Sequence, residues 1–320
     1  MINESYYIGL DIGGTKCAAT LGKETDDLPQ IVDKKYFLTE QKQPKEILEE
    51  FSIFIDRYIK EYDINGIGIS CGGPLDSAKG IIMKPPSLPL WDNIEIVKYF
   101  KDKYGIDTYL QNDANACAVA EWKFGAGKGK KNVIFLTFGT GLGAGLILNG
   151  KLYSGTNDNA GEIGHVRLTK KGPLGYFKEG SCEGYCSGSG IARLAKIISK
   201  QKQYLASYKE FEEIVGAENI SAKTIAEYAR KGNVFCKRVY NVSGKMLGKT
   251  LSILIDVLNP QTIILGGVYM RANDLINPSM KKELLKESLL FSLGVVEILP
   301  AELAENIGDY AALSIAKGDF

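Results

Sequence analysis

Residues 7–22 read YIGLDIGGTKCAATLG, and residues 134–150 read IFLTFGTGLGAGLILNG. Each is an apolar run, a turn of Gly and Thr, and a second apolar run. Apolar runs joined so closely by glycines predict an antiparallel hairpin, not a strand feeding a helix. The two stretches read as an internal repeat of one supersecondary unit. Around them strand-like and helix-like segments alternate, which predicts an α/β fold.

Outward from the first hairpin, residues 31–38 read as a third strand. Pro44 opens a helix with Ile47, Leu48, Phe51, Phe54, Ile55, Tyr58 and Tyr62 at helical spacing. A buried-type strand over 64–70 ends at Gly72-Gly73-Pro74. A helix over 94–103, a strand over 107–110 and a helix over 114–124 follow. Beyond the second hairpin, 155–190 is a long Gly-rich irregular segment, a kind that often carries function. Helices are expected over 191–199, 208–215, 222–230 and 234–258. The last carries Gly244, Gly248 and Ser252 at four-residue spacing, a stripe that lets another helix approach closely. A strand over 262–265 ends at Gly266-Gly267. A helix over 277–290, a strand over 294–299 and a helix over 310–316 complete the pattern.

The 320 residues include 39 Lys+Arg, 38 Asp+Glu, one His and six Cys. That length favours two domains of about 150 residues each and suffices for a core without disulfide or metal staples. With a net charge of +1 and one short basic block at 128–131, a broad nucleic-acid face is not expected. His165 is the only histidine, which excludes a His-rich metal site. The cysteines form no secreted-domain framework; Cys17, Cys71 and Cys117 read as small core residues. Residues 1–7 lack a basic leader pattern. Asp256 and Asn259-Pro260 interrupt the longest apolar stretch, 251–270, so no membrane span is expected. A soluble cytoplasmic protein is the expectation.

Three glycine turns follow strands: Asp11-Ile12-Gly13-Gly14-Thr15-Lys16, Gly139-Thr140-Gly141-Leu142-Gly143, and Gly266-Gly267. Backbone N–H groups in such turns can face an anion, and three together point to nucleotide phosphates. Residues 145–151 spell GxxxxGK, but Leu152 follows where a P-loop needs Ser or Thr for magnesium. Gly139, Gly141 and Ala144 spell GxGxxA but lead into a strand, against a dinucleotide fold. Asp11 suits a magnesium ion or its water shell, or is a solvated turn residue. Asn112-Asp113 opens a helix; Asp113 is a helix cap or a general base. Glu162, His165 and Glu183 offer the carboxylates and imidazole that a polyhydroxylated ligand needs. His165, Cys182 and Cys186 are too few for a closed zinc site.

Taken together these motifs resemble the ROK family (repressor, open reading frame, kinase) of the actin-like ATPase superfamily. The resemblance rests on DIGGTK at 11–16, NDANACAVAE at 112–121, FGTGLGAGLILNGKLYSG at 138–155, AGEIGH at 160–165, EGYCSG at 183–188 and LGGV at 265–268. It implies two ribonuclease-H-like α/β domains with a cleft between them, here expected as 1–111 plus 305–320 and as 112–304. It implies ATP- and Mg2+-dependent phosphorylation of a hexose, glucose first, with N-acetylmannosamine, N-acetylglucosamine, fructose, mannose or allose as alternatives. Asp113 would be the catalytic base. Asn112, Glu162, His165 and Glu183 would hold the sugar. Asp11, Gly13, Gly14, Thr15, Lys16, Gly139, Thr140, Gly141, Gly266 and Gly267 would surround ATP, with Asp11 near magnesium. A homodimer, with no nucleic-acid or membrane partner, is also implied.

Two features depart from the family pattern. Many members carry a CxCGxxGC zinc cluster after the GH motif; residues 172–182 lack it, and Ser181 stands where its last cysteine would be. Zinc is therefore not expected, and the substrate loop must be held by packing. Ser87 replaces the usual Asn in PPSLPLW. Only ten residues precede Asp11, so the helix-turn-helix of the family's repressors is not expected. A non-catalytic sugar sensor and a filament-forming ATPase are the remaining alternatives.

Overall fold

The computed structural model describes residues 4–39 and 42–320; the leader reading for residues 1–3 lies outside them. The chain divides into two compact units. The first takes in Met1–Lys131, Gly145–Ala160 and Glu302–Phe320, and the second Asn132–Ala144 and Gly161–Ala301.

In chain order come β1 (Tyr6–Ile12), β2 (Lys16–Lys23), β3 (Gln30–Leu38), α1 (Pro44–Tyr58), β4 (Ile64–Cys71), β5 (Leu75–Asp76), β6 (Ile81–Ile82), α2 (Ile96–Tyr104), β7 (Thr108–Asn112) and α3 (Asp113–Phe124). Then follow β8 (Val133–Phe138), β9 (Leu142–Leu148), β10 (Lys151–Leu152), β11 (Leu174–Gly175), β12 (Lys178–Glu179), α4 (Cys182–Cys186), α5 (Gly188–Ile198), α6 (Leu205–Val215), α7 (Ala222–Arg230) and α8 (Val234–Leu258). The chain ends with β13 (Thr262–Leu265), α9 (Val268–Glu287), α10 (Leu290–Leu293), β14 (Glu297–Pro300) and α11 (Ile307–Ile315).

One five-stranded sheet has the order β3-β2-β1-β4-β7, the other β10-β9-β8-β13-β14. In the first, β1 pairs antiparallel with β2 and parallel with β4. In the second, β8 lies between β9 and a parallel β13. Hairpin first, parallel strands beyond: the repeat read from the two Gly/Thr stretches is present in the topology. The P-loop-like spacing at 145–151 runs along β9 into β10, the wrong setting for a phosphate loop.

The apolar stripe of α1 is buried at Ile47, Leu48, Phe51, Phe54, Ile55 and Tyr58, each full burial stabilising by roughly 1.5–3 kcal/mol. Pro44 starts the helix, and Glu46 reaches back to accept the Gln43 N–H at 2.6 Å. On the other side of the first sheet α11 packs against β1 and β4. It comes so close because a Cβ at Gly68 would lie 2.0 Å from the Ala312 carbonyl oxygen and 2.5 Å from the Ala316 nitrogen. Both are backbone atoms and cannot rotate aside. Gly68→Ala should therefore lower stability by about 1–3 kcal/mol, read as a drop in the thermal midpoint; an unchanged midpoint would contradict this packing.

The small-residue stripe on α8 has the expected partner, α9. Side chains at Gly244 and Gly248 would collide with the Ile276 and Met280 carbonyls at 2.5 and 2.7 Å, and Ser288 Oγ donates to Ser252 Oγ at 2.9 Å.

Four expectations need correction. α9 begins at Val268, not 277, and is kinked at Ala272, with Pro278 inside it; the glycines just before it and the kink broke the helical pattern. The final helix starts at Ile307, not 310. The 155–190 segment contains the β11–β12 hairpin and α4. The division expected at 112 and 305 falls instead near 132, 145, 161 and 302. Its cause is α3, which packs on α11 and receives Gly145 so closely that a Cβ there would lie 2.4 Å from the Ala114 carbonyl oxygen. Among the described residues no helix is long and apolar enough to cross a membrane.

Candidate active site

In the first unit the β1–β2 turn carries Asp11, Gly13, Gly14, Thr15 and Lys16. Gly13 N–H donates to the Lys16 carbonyl at 3.2 Å, and Thr39 Oγ1 donates to the Gly13 carbonyl at 2.8 Å. Thr15 is exposed. The Lys16 ammonium sits over the Tyr36 ring, 4.9 Å from its centroid.

Asn112 and Asp113 stand where β7 becomes α3, and the structure divides their roles. Asn112 is the cap: its Oδ1 accepts the Ala114 N–H at 3.0 Å. Asp113 is the first helical residue; its Oδ1 shares that N–H at 2.8 Å. Its other oxygen, Oδ2, faces Gly72. A Cβ on Gly72 would lie 3.9 Å from Asp113 Oδ2 and 4.0 Å from Ser87 Oγ, so the glycine leaves space between acid and hydroxyl. Asp113 is exposed to solvent; the protein packed around its carboxyl still pushes it above the usual range, although two N–H groups, of Ala114 and of its own backbone, pull it down. Asp11 is raised to about 6 by burial first, then by the charges of Asp113 and Asp309; the Ser70 hydroxyl and Lys34 oppose this. Beside this group a pocket of about 350 Å3 is lined by Gly14, Thr39, Lys42, Ser87 and Trp91, among others.

In the second unit Gly139, Thr140 and Gly141 form the β8–β9 turn. Gly188 N–H donates to the Gly139 carbonyl at 2.8 Å, and Ser189 Oγ to the Thr140 carbonyl at 2.8 Å. Gly267, at φ 60°, packs so tightly that a Cβ would lie 2.0 Å from the Phe138 carbonyl oxygen. Two of the three glycine turns thus meet, with the start of α5 beside them. Glu183, on α4, accepts the Leu142 N–H through Oε2 at 3.2 Å. Glu162 and His165 bracket a 3-10 turn, Ile163–His165. Gly164 allows this turn to lie on Leu142 and Glu183, since a Cβ would be 2.0 Å from the Leu142 carbonyl oxygen. So Glu162, His165 and Glu183 share one neighbourhood, and Asn112, Asp113 and Asp11 another.

Several residues of these neighbourhoods escaped the sequence reading. Ser70 and Asp309 act on Asp11, and Asp309 lies at the other end of the chain with no motif around it. Gln111 Oε1 accepts the Asn112 N–H at 2.9 Å and is held in turn by Asn115.

The model of the ROK family matches residues 7–318. The chain belongs to the ROK family. Its relatives include a glucokinase of Thermotoga maritima, 27% identical over 97% of this chain and 96% of that protein. A xylose repressor of Bacillus subtilis is 29% identical over 94% of this chain and 74% of its own length. Among solved structures, a ROK family glucokinase from Streptomyces griseus in complex with glucose and AMPPNP superposes with a TM-score of 0.76 at 26% identity, covering 98% of this chain and 99% of that one. The actin-like ATPase fold of ROK proteins agrees with the repeated sheet order described above.

A ROK-type zinc ion does not fit these residues. Cys182 and Cys186 are buried with their sulfurs turned onto α8: Cys182 Sγ is 2.8 Å from Thr250 Oγ1, and Cys186 Sγ donates to the Ser243 carbonyl at 3.7 Å. His165 is exposed and lies against Tyr176. Among the described residues no group of three His, Cys, Asp or Glu side chains could hold a metal ion. The loop is tied by other bonds: Tyr185 Oη pairs with Thr169 Oγ1 at 2.9 Å, and Leu168 N–H donates to the Gly180 carbonyl at 2.8 Å.

Proposed function

We propose that the chain is an ATP-dependent sugar kinase, moving the terminal phosphoryl group of ATP onto a hexose hydroxyl, most readily that of glucose to give glucose 6-phosphate. Asp113 carries the reading. Asn112 has taken over the capping role, so a carboxylate oxygen is left facing the gap at Gly72, with its proton affinity raised by its surroundings. A base of raised pKa accepts the hydroxyl proton better than an ordinary aspartate does. The glucokinase relatives and the glucose and AMPPNP complex of the Streptomyces griseus protein support the same chemistry.

In this reading the turns at Gly13-Gly14-Thr15 and Gly139-Thr140-Gly141, with Gly266-Gly267, offer N–H groups to the nucleotide phosphates. Lys16, turned onto Tyr36, contributes positive potential beside them. Asn112, Glu162, His165 and Glu183 orient the sugar hydroxyls. Asp11 would hold a magnesium ion through its water shell, with the cation offsetting the charge that burial and the neighbouring Asp113 and Asp309 disfavour; such an ion would neutralise phosphate charge. Asp113 takes the proton as the sugar oxygen bonds to phosphorus and ADP leaves. A cytoplasmic homodimer completes the reading and rests on the family resemblance.

The test is ADP release from MgATP with glucose, N-acetylmannosamine, N-acetylglucosamine, fructose, mannose and allose in turn. The account expects glucose to give the highest kcat/KM. Another hexose in first place would replace the substrate and keep the class. Nucleotide binding with no sugar-stimulated turnover would favour the sensor reading.

A further inference from the structure

Within residues 172–182, where the zinc cluster of many ROK proteins would fall, Leu174–Gly175 and Lys178–Glu179 form a hairpin. Gly175 pairs with Lys178, so Tyr176 and Phe177 form a two-residue turn. Both have positive φ, 37° and 62°, a conformation that such hairpins usually give to Asn-Gly. Large aromatic residues held this way are strained and persist only where their surroundings impose it. The surroundings are on both sides. At the base, a Cβ on Gly175 would lie 2.5 Å from the Gly184 nitrogen, and Ser181 Oγ donates to the Gly175 carbonyl at 3.3 Å; the hairpin is thus seated on α4, the helix that carries Glu183. At the tip, the Tyr176 ring meets the His165 imidazole edge-on, with centroids 6.1 Å apart at 73°. Lys178 Nζ donates to the His165 carbonyl at 2.9 Å. Among the described residues no hydrogen bond or ion pair holds the imidazole itself.

We propose that Tyr176 is a positioning residue for His165: the hairpin fixes the imidazole by a ring contact, where other members of the family use a metal-bound loop, and so sets the grip on the sugar. This rests on the sugar-kinase reading. An edge-on ring restricts the imidazole's rotation. Without it His165 must be ordered by the sugar on binding, which weakens sugar affinity and leaves ATP untouched.

The experiment compares Tyr176→Ala and Tyr176→Phe with wild type. Tyr176→Ala should raise the KM for sugar about tenfold, the scale of a modest misplacement of one binding group, with the KM for ATP unchanged. Tyr176→Phe, which keeps the ring, should restore it. Because the chain has a single histidine, its imidazole signals in an NMR spectrum belong to His165; they should move in the Ala variant and stay in the Phe variant. Tyr176→Leu, bulkier at the turn, serves if the Ala variant fails to fold. A removed ring with an unchanged KM for sugar would overturn the proposal, whatever the resonances do. So would a KM for sugar that rises when wild type is treated with a zinc chelator. Wild type with no sugar-dependent ADP release would instead overturn the kinase reading beneath it, and shows before any substitution is made.

Discussion

Asp113→Asn is expected to lower kcat by about 10²–10⁴-fold, the usual contribution of a positioned general base. The substitution is nearly isosteric. Asn retains an oxygen for the Ala114 N–H, and Asn112 still caps α3. What disappears is the proton acceptor facing Gly72. The KM values for sugar and ATP should therefore stay within about threefold, because the loss falls on the transition state. Thermal stability should hold, since Asp113 is exposed and the amide oxygen of Asn can still accept the Ala114 N–H. Steady-state kinetics and a thermal melt on the same preparation check both halves. A variant with near-wild-type kcat would remove Asp113 from the chemistry. One with a collapsed melting point would make it a structural residue.

The second large effect is on folding. Glu121, at the end of the NDANACAVAE motif, is fully buried. Its carboxylate accepts the N–H groups of Ala126 at 3.0 Å, Glu302 at 3.2 Å and Leu303 at 2.9 Å. It thereby ties the end of α3 to the returning C-terminal segment within the first unit. Burial raises its pKa while the three N–H groups pull it down. Glu121→Ala strands those donors, and an unsatisfied buried donor costs about 1–3 kcal/mol. Allowing for water entering the space left, a loss of about 3 kcal/mol is expected, or a thermal midpoint lower by about 6–12 °C. Glu121→Gln keeps one acceptor oxygen and should lose less. Urea denaturation distinguishes the outcomes: an Ala variant within about 0.5 kcal/mol of wild type would mean that the three N–H groups find other acceptors.

These two residues also mark what a sequence can disclose. Asp113 and Glu121 lie in one motif, and both were visible as motif positions. Which residue caps α3 needed the structure, where Asn112 Oδ1 and Asp113 Oδ1 both accept the Ala114 N–H. Two of Glu121's three partners, Glu302 and Leu303, lie 181 and 182 residues away, beyond any local pattern. The same non-locality hid Asp309 beside Asp11, and misplaced the division between units, since α3 finds its neighbour in α11. Local signals fared better. Gly turns between apolar runs gave both hairpins, and the Gly244, Gly248 and Ser252 stripe foretold a closely packed helix. The α9 start is not legible because Gly266-Gly267 precede it and the helix carries a kink at Ala272 and Pro278 inside it. The Tyr176-Phe177 turn was missed because neither residue belongs in such a turn by local preference.

The central claim is phosphoryl transfer to a sugar, and the most direct measurement is of its product. Enzyme, MgATP and glucose are incubated together, and the 31P spectrum is followed while ADP accumulates. The account predicts a new phosphomonoester signal that grows in step with ADP and is absent without sugar or with Asp113→Asn. ADP accompanied only by inorganic phosphate, or no ADP in the presence of any hexose of the panel, would contradict it.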